Sequence, residues 1–531
     1  MNQKQNQLSN SLRNPCFGGR VAFGACALAS VASSLTSSAA AAGDDTLLQE
    51  QVRLLREQNE KIMAANAALA DKVASLEQRV DADNDWLTDA RAAEIRSVVN
   101  DVLADSSTRD SLAADGATAG WDSSRGFYLA SADNNFTLRF RGRIQTRWAM
   151  DQRDIGTATA ANGSPANTST ENTHGFEMRR VQFMFGGNII DPSWTYFMQY
   201  ATARNASNNL TGFLEDAFVE KALGDGYFLR AGQYRPGFMR EDLVSSGAQM
   251  AVERSDINEV FAAARSQGVM FGWLGEQVKY DVFFGDELRA NAAVPTTGAG
   301  AAGNVPSGIN TAFNADLVDY AFCSRIEFMP YGEWKQFRDL QGFRGEAPGA
   351  LFGLAAYVQQ LTDVAGTSTS PDFIWSATAD ASLEFGGWAL FGYGVIREVT
   401  LQDAQAVRGG GTDDSLSQWG ALIQAGVFVT DSVEVFTRYE IGNTDTDKYR
   451  TNATALEANG ECNNMLTTGF TWWPAGVKNR GLKFATDFGY AFCPVVDFAS
   501  SGADWLPDYT AQNGGTNDGQ WVLRSQLQLQ F

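Results

Sequence analysis

The body of this sequence has no apolar run approaching the ~20 residues that a membrane-spanning helix requires, in keeping with a mean hydropathy of -0.23. That absence leaves a transmembrane β-barrel open, because barrel strands are about 9 to 11 residues long and only half apolar. Histidine is almost missing. The one copy, His174, stands in a long polar stretch, where a solvated side chain is the ordinary reading rather than a catalytic base. No GxSxG or HExxH occurs, and Asp445-Thr446-Asp447 is too short a fragment for a calcium loop. Neither a catalytic residue nor a metal or other cofactor is indicated. Cysteine is scarce too: Cys16 and Cys26 lie near the start, and Cys323, Cys462 and Cys493 have no CxxC or metal-ligand spacing. At least one of those last three is unpaired in a monomer, and Cys462 with Cys493 is a candidate loop disulfide. Basic residues are in deficit, Lys+Arg 41 against Asp+Glu 62, and the net charge of -21 argues against nucleic acid as a partner.

Arg13 and Arg20 precede a moderately apolar run over 21–35 and small residues up to Ala42, which predicts a secretory signal over 1–42. A lipoprotein anchor at Cys26 is the rival, but Phe23-Gly24-Ala25 is a poor context for it. Over 43–82 the heptads are regular. Leu48, Leu55, Ile62, Leu69 and Leu76 take d, while Val52, Asn59, Asn66, Val73 and Val80 take a. A stripe this narrow predicts a self-associating periplasmic α-helical coiled coil, with the two Asn fixing register at some cost in stability. Residues 83–120 read as a charged, partly helical segment and linker.

Beyond the linker the chain is two-faced. In residues 136–148, FTLRFRGRIQTRW, Phe136, Leu138, Phe140, Ile144 and Trp148 share one parity, and Arg139, Arg141, Arg143, Gln145 and Arg147 the other. Alternate side chains of a strand point to opposite faces, so an apolar face would back a wall of guanidinium groups. The pattern returns at Leu482, Phe484 and Phe488 against Lys483 and Asp487, and at Trp521, Leu523 and Leu527 against Arg524, Gln526 and Gln528. Short turns such as Gly224-Asp225-Gly226 and Gly386-Gly387 alternate with long polar segments such as 151–175, 235–267 and 494–519. Connections near 333–347 and 474–480 are longer than this rule wants. The count gives about sixteen strands, and closure removes the edges they would otherwise expose. The fold class predicted is an all-β transmembrane, sixteen-stranded antiparallel barrel over 121–531, preceded by the coiled coil.

Several stretches resemble the phosphate-selective porin O and P family. They are GFYLASADNNFTLRFRGRIQTRW at 126–148, FEMRRVQFMF at 176–185, YFLRAGQYRPGFMREDLVSS at 227–246, Arg265-Ser266-Gln267-Gly268-Val269 and the 524–531 terminus. The resemblance implies a trimeric sixteen-stranded outer-membrane pore, with the loop after the fifth strand folded into the lumen and anions such as phosphate as permeants. By position it marks Arg139, Arg141, Arg143, Arg180 and Arg230 on strands, and Arg235 and Arg240 on the inserted loop, as pore-lining or anion-binding candidates. Arg147 joins them by parity. Guanidinium groups replace part of an anion's hydration shell by charge-assisted hydrogen bonds. The loop also carries the acids Glu241, Asp242, Glu253 and Asp256, so a second expectation is a field across the constriction, acids facing arginines.

A passive pore in the bacterial outer membrane, in contact with its lipid and with the N-terminal segment in the periplasm, is the leading function. The alternative is a structural anchor that tethers membrane to cell wall, with peptidoglycan contacted through residues 43–82.

Overall fold

The computed structural model describes residues 45–81, 97, 117–122, 126–155, 169–204, 210–290, 318–362, 370–407, 410–449, 462–493 and 520–531. The signal expected over 1–42 lies outside them. Two compact units divide the chain, Met1–Thr108 and Arg109–Phe531.

In the first unit, α1 (Asp45–Asp81) runs the length of the heptad pattern. It contains neither Gly nor Pro, and Glu57 accepts from Lys61 one turn on at 3.3 Å, in the favourable order. Leu55, Ile62 and Leu69 of its d stripe are 63%, 57% and 49% exposed in this single chain.

In the second unit, a hairpin of β1 (Thr118–Asp122) and β2 (Gly126–Ala130) precedes a closed barrel. The barrel opens with β3 (Thr137–Ile155), β4 (Ser169–Ile189), β5 (Asp191–Arg204), β6 (Leu210–Gly224), β7 (Tyr227–Tyr234), β8 (Ser266–Leu274) and β9 (Val278–Gly285). It continues with β10 (Val318–Tyr331), β11 (Gly349–Leu361), β12 (Pro371–Phe385), β13 (Trp388–Ala406) and β14 (Thr412–Phe428). The last four strands are β15 (Val433–Asn443), β16 (Cys462–Trp472), β17 (Leu482–Ala491) and β18 (Gln520–Gln530). Each pairs antiparallel with the next, and β18 pairs with β3 from Trp521↔Gln152 to Gln530↔Arg143, so sixteen strands close on themselves. The C-terminal residue completes the seam: the Gly142 amide donates to the Phe531 carbonyl at 2.8 Å and the Phe531 amide to that of Gly142 at 3.0 Å. A side chain at Gly142 would meet the Phe531 ring, which is why the smallest residue stands there.

Side-chain parity follows the sequence. Arg143, Gln145 and Arg147 point inward and are buried, whereas Phe176, Leu354, Ile423 and Leu527 on the outer face are 82%, 60%, 54% and 50% exposed. A barrel with an apolar outside and a polar inside is stable only where hydrocarbon covers the outside. Two boundaries differ from expectation. β1 begins at Thr118, inside the expected linker, because TAGWD adds to β2 and so to the barrel's β3 edge. The ladder of β3 and β4 continues to Ile155↔Ser169, taking in much of the expected loop, and exposed His174 sits opposite Met150 within it. Cys323 is free and buried, and Cys493 is disulfide-bonded. The side chain of Cys462 lies outside the described residues.

Candidate functional site: a cation-lined passage

The connection between β7 and β8, residues 235–265, enters the lumen from the long-loop end and carries α2 (Arg240–Leu243) and α3 (Asp256–Phe261). Charged side chains of the far wall hold it. Lys483 Nζ donates to the carbonyls of Gly247 and Gln249 at 3.0 and 3.1 Å, and Arg438 Nη1 to that of Glu253 at 2.9 Å. Arg397 Nη1 donates to Val260 O at 2.9 Å, and the Val252 amide donates to Asp487 at 2.8 Å. Backbone groups that leave water on entering a lumen must find partners, and a wall of alternating polar side chains supplies them.

The loop leans on β12–β17 and touches β3 and β4 through Ser245, Ser246 and Glu253, leaving space beside those contacts along β3–β7. A cavity of about 770 Å³ lies there, lined by Arg179, Arg180, Arg230, Arg235, Arg254, Arg265, Arg289 and Arg338 against Glu215, Asp216, Asp242 and Glu259. A second, of about 680 Å³, is lined by Arg141, Arg143, Lys478, Arg480 and Lys483 against one acid, Asp339. Phe197, Gln199 and Ser245 line both, so the two are contiguous. Within this passage the acids are taken up by ion pairs: Arg265 with Asp216 at 2.9 Å, Arg235 with Asp242 at 3.0 Å, and Arg289 with Glu259 at 3.3 Å. Burial, then Arg265, brings the Arg235 guanidinium down to about 10, which leaves it cationic at neutral pH. The excess of cations is therefore local to the passage, inside a chain whose net charge is -21.

The sequence-derived candidates separate into groups. Arg141, Arg143, Arg180, Arg230 and Arg235 line the passage. Arg143 also donates to Ser245 and Ser246 at 2.9 and 3.1 Å, and Arg230 pairs with Glu220 at 2.6 Å. Arg139 shares with Arg141 a smaller cavity near Asn188 and Tyr196. Arg147 and Arg240 line neither large cavity. Arg147, 1% exposed, pairs with Glu177 and, at 2.6 Å, with Glu253. Arg240 is buried between Ser382 Oγ and the Phe337 carbonyl, both accepting at 2.7 Å.

The loop acids do not face arginines across open water. Glu253 makes direct ion pairs with Arg147, Arg179 and Arg180 at 2.6, 2.6 and 2.8 Å. Burial would raise its carboxyl, but the three guanidinium groups outweigh that and hold it well below the ordinary range. Glu241 accepts from the Ser255 amide, Ser255 Oγ and Tyr393 OH at 2.8, 2.6 and 2.9 Å. Asp256 is buried beside Glu440, and burial and that charge push its carboxyl well above the ordinary range. Asp242 alone of the four lines the passage, paired with Arg235.

Residues beyond those candidates include Arg179, Arg254, Arg265, Arg289, Arg338, Lys478, Arg480 and Lys483. Parity alone marks Lys483, but it misplaces Arg179. The register slips between Gln145↔Arg180 and Thr146↔Met178, a bulge that turns both consecutive arginines toward Glu253.

A closed sixteen-stranded barrel, apolar outside and polar within, with one loop folded into its lumen, is the porin class of architecture. Residues 157–315 match the family model described as phosphate-selective porin O and P, the family that the sequence resembles. No curated protein matches the chain. Among solved structures the chain is similar to the outer membrane channel DcaP of Acinetobacter baumannii, at 12% identity, 74% of this chain, 97% of that one and a TM-score of 0.43. It is similar also to an anion-selective porin from Comamonas acidovorans (12%, 74% and 99%, 0.41) and to Salmonella typhi OmpF in complex with daunomycin (11%, 75% and 98%, 0.42).

Proposed function

We propose that this protein is an outer-membrane porin, a passive water-filled channel that prefers small anions, phosphate-like ones included. The observation that carries the reading is the passage itself: cations outnumber acids along its described lining, and the five acids there are already paired with arginines. An anion entering it exchanges part of its hydration shell for guanidinium donors, while a cation meets no compensating wall. The strand arginines Arg141, Arg143, Arg180 and Arg230 act as lining, and Arg147, Arg240, Glu241 and Glu253 act by holding the loop that shapes it.

The barrel acts as a homotrimer in the same reading, with α1 as a periplasmic coiled coil; the exposed d stripe of α1 favours a partner helix. Purified protein reconstituted in a planar bilayer should give discrete conductance steps. A folded barrel that stays silent would contradict the channel.

A further inference from the structure

We propose that the passage is shaped from both ends, and that Arg338, on the connection between β10 and β11, is a selectivity-determining residue; this rests on the anion-channel reading above. The short-turn end of a barrel of this class ordinarily has tight turns. Residues 332–348 depart from that rule and fold against the inner loop.

The segment is built rather than slack. Gly332 turns the chain with φ 111° and the one-turn 3₁₀ helix Gln336–Arg338 follows. Phe337 is buried with Met329 and Leu351. Its carbonyl accepts from Arg240 of the inner loop at 2.7 Å, and Arg240 lies 5.7 Å over its ring. On the other side Asp339 accepts from the Gln341 amide at 3.1 Å and pairs with Arg480 at 2.8 Å. Gln341 Nε2 donates to Gln249 O of the inner loop at 3.0 Å. Phe343 packs on Phe428 and Trp473 at 5.1 and 5.4 Å, with Arg480 3.7 Å over its face.

Arg338 is thus fixed through both chain neighbours while its own side chain is exposed within the passage, lining the cavity that holds Arg180 and Gln199. Among the described residues neither Arg338 nor Arg141 makes an ion pair or a side-chain hydrogen bond. Arg338 lies within electrostatic reach of Arg141 on the opposite wall. Most other guanidinium groups of the passage are committed to a carboxylate or a loop carbonyl. Two uncommitted ones, delivered from different elements, are where a small anion gains most by exchanging water for donors.

The test is the anion-to-cation permeability ratio of full-length protein in bilayers. A unit charge at ~6 Å in a water-like medium alters each ion's permeability about threefold, in opposite senses for anion and cation, and so alters the ratio about tenfold. Arg338→Gln should lower it about tenfold and Arg338→Glu about a hundredfold, as two such steps. Arg344→Gln, on the same segment but paired with Asp431 at an exposed site, should leave it unchanged. If Arg141→Gln lowers the ratio while Arg338→Glu does not, the second constriction element is overturned and the anion channel stands. If the wild type conducts without anion preference, both fall.

Discussion

Replacing Glu253 by Gln isolates the charge logic of the passage. The carboxylate is 3% exposed and shared by three guanidinium groups, of which Arg179 and Arg180 also line the passage. The loop should keep its place, because Lys483, Asp487 and Arg438 hold it through backbone groups the substitution does not touch. Two effects then separate. Leaving buried guanidinium groups without their partner costs about 3–5 kcal/mol; the 18% and 15% exposure of Arg179 and Arg180 admits water and sets the lower end, ~3 kcal/mol, as the expectation. Selectivity moves the other way. Removing one negative charge ~6 Å from the ion path is worth about 0.7 kcal/mol on each ion in a water-like medium, of opposite sign for anion and cation, or roughly a tenfold rise in anion-to-cation permeability. Reversal potentials in a salt gradient measure the second effect and thermal unfolding the first. A variant with unchanged or lower anion preference would refute the claim that Glu253 masks positive charge beside the passage. Because the Glu253 carboxyl is depressed, its stabilisation is complete above the ordinary value of 4.5 and is lost only as pH falls through the depressed one. Clamp and selectivity should therefore survive acidification to about pH 4.5 as far as this group is concerned.

Asp339 should behave oppositely: burial raises its carboxyl from 3.8 to about 6, so its contribution to stability declines as pH rises between those values. Its charge disappears from the passage as pH falls from 7 to 5, so anion preference should rise over that interval in the wild type and stay flat in Asp339→Asn; equal slopes would exclude it. Replacing Arg141 and Arg143 together by Ala should reduce anion preference, and no change in reversal potential would remove them from the path. A peptide of residues 44–82 should sediment as a trimer; a stable monomer would refute self-association of α1, and a dimer would break the match to a trimeric barrel.

Parity made the wall of β3 legible from Phe136 to Trp148, since a strand has only two faces, and the alternation of short and long connections gave the count of sixteen. The inserted loop came from resemblance rather than from its own pattern, because its irregular backbone is fixed by partners more than a hundred residues away, such as Lys483 with Gly247. Pairings of that kind have no local signal: Glu253 and Arg147 are 106 positions apart, and only closure of the barrel brings them together. Arg179 was hidden by a bulge that strict alternation does not anticipate. The excess length of the 333–347 connection was visible, yet length alone does not say that it turns inward; Arg240 and Gln341 decide that through contacts with the Phe337 and Gln249 carbonyls.

The acidic chain encloses a passage of opposite sign. Reversal potential of the wild-type protein across a planar bilayer with a potassium chloride gradient tests it most directly. The potential should take the sign of chloride preference, and the sign set by potassium would contradict a cation-lined path.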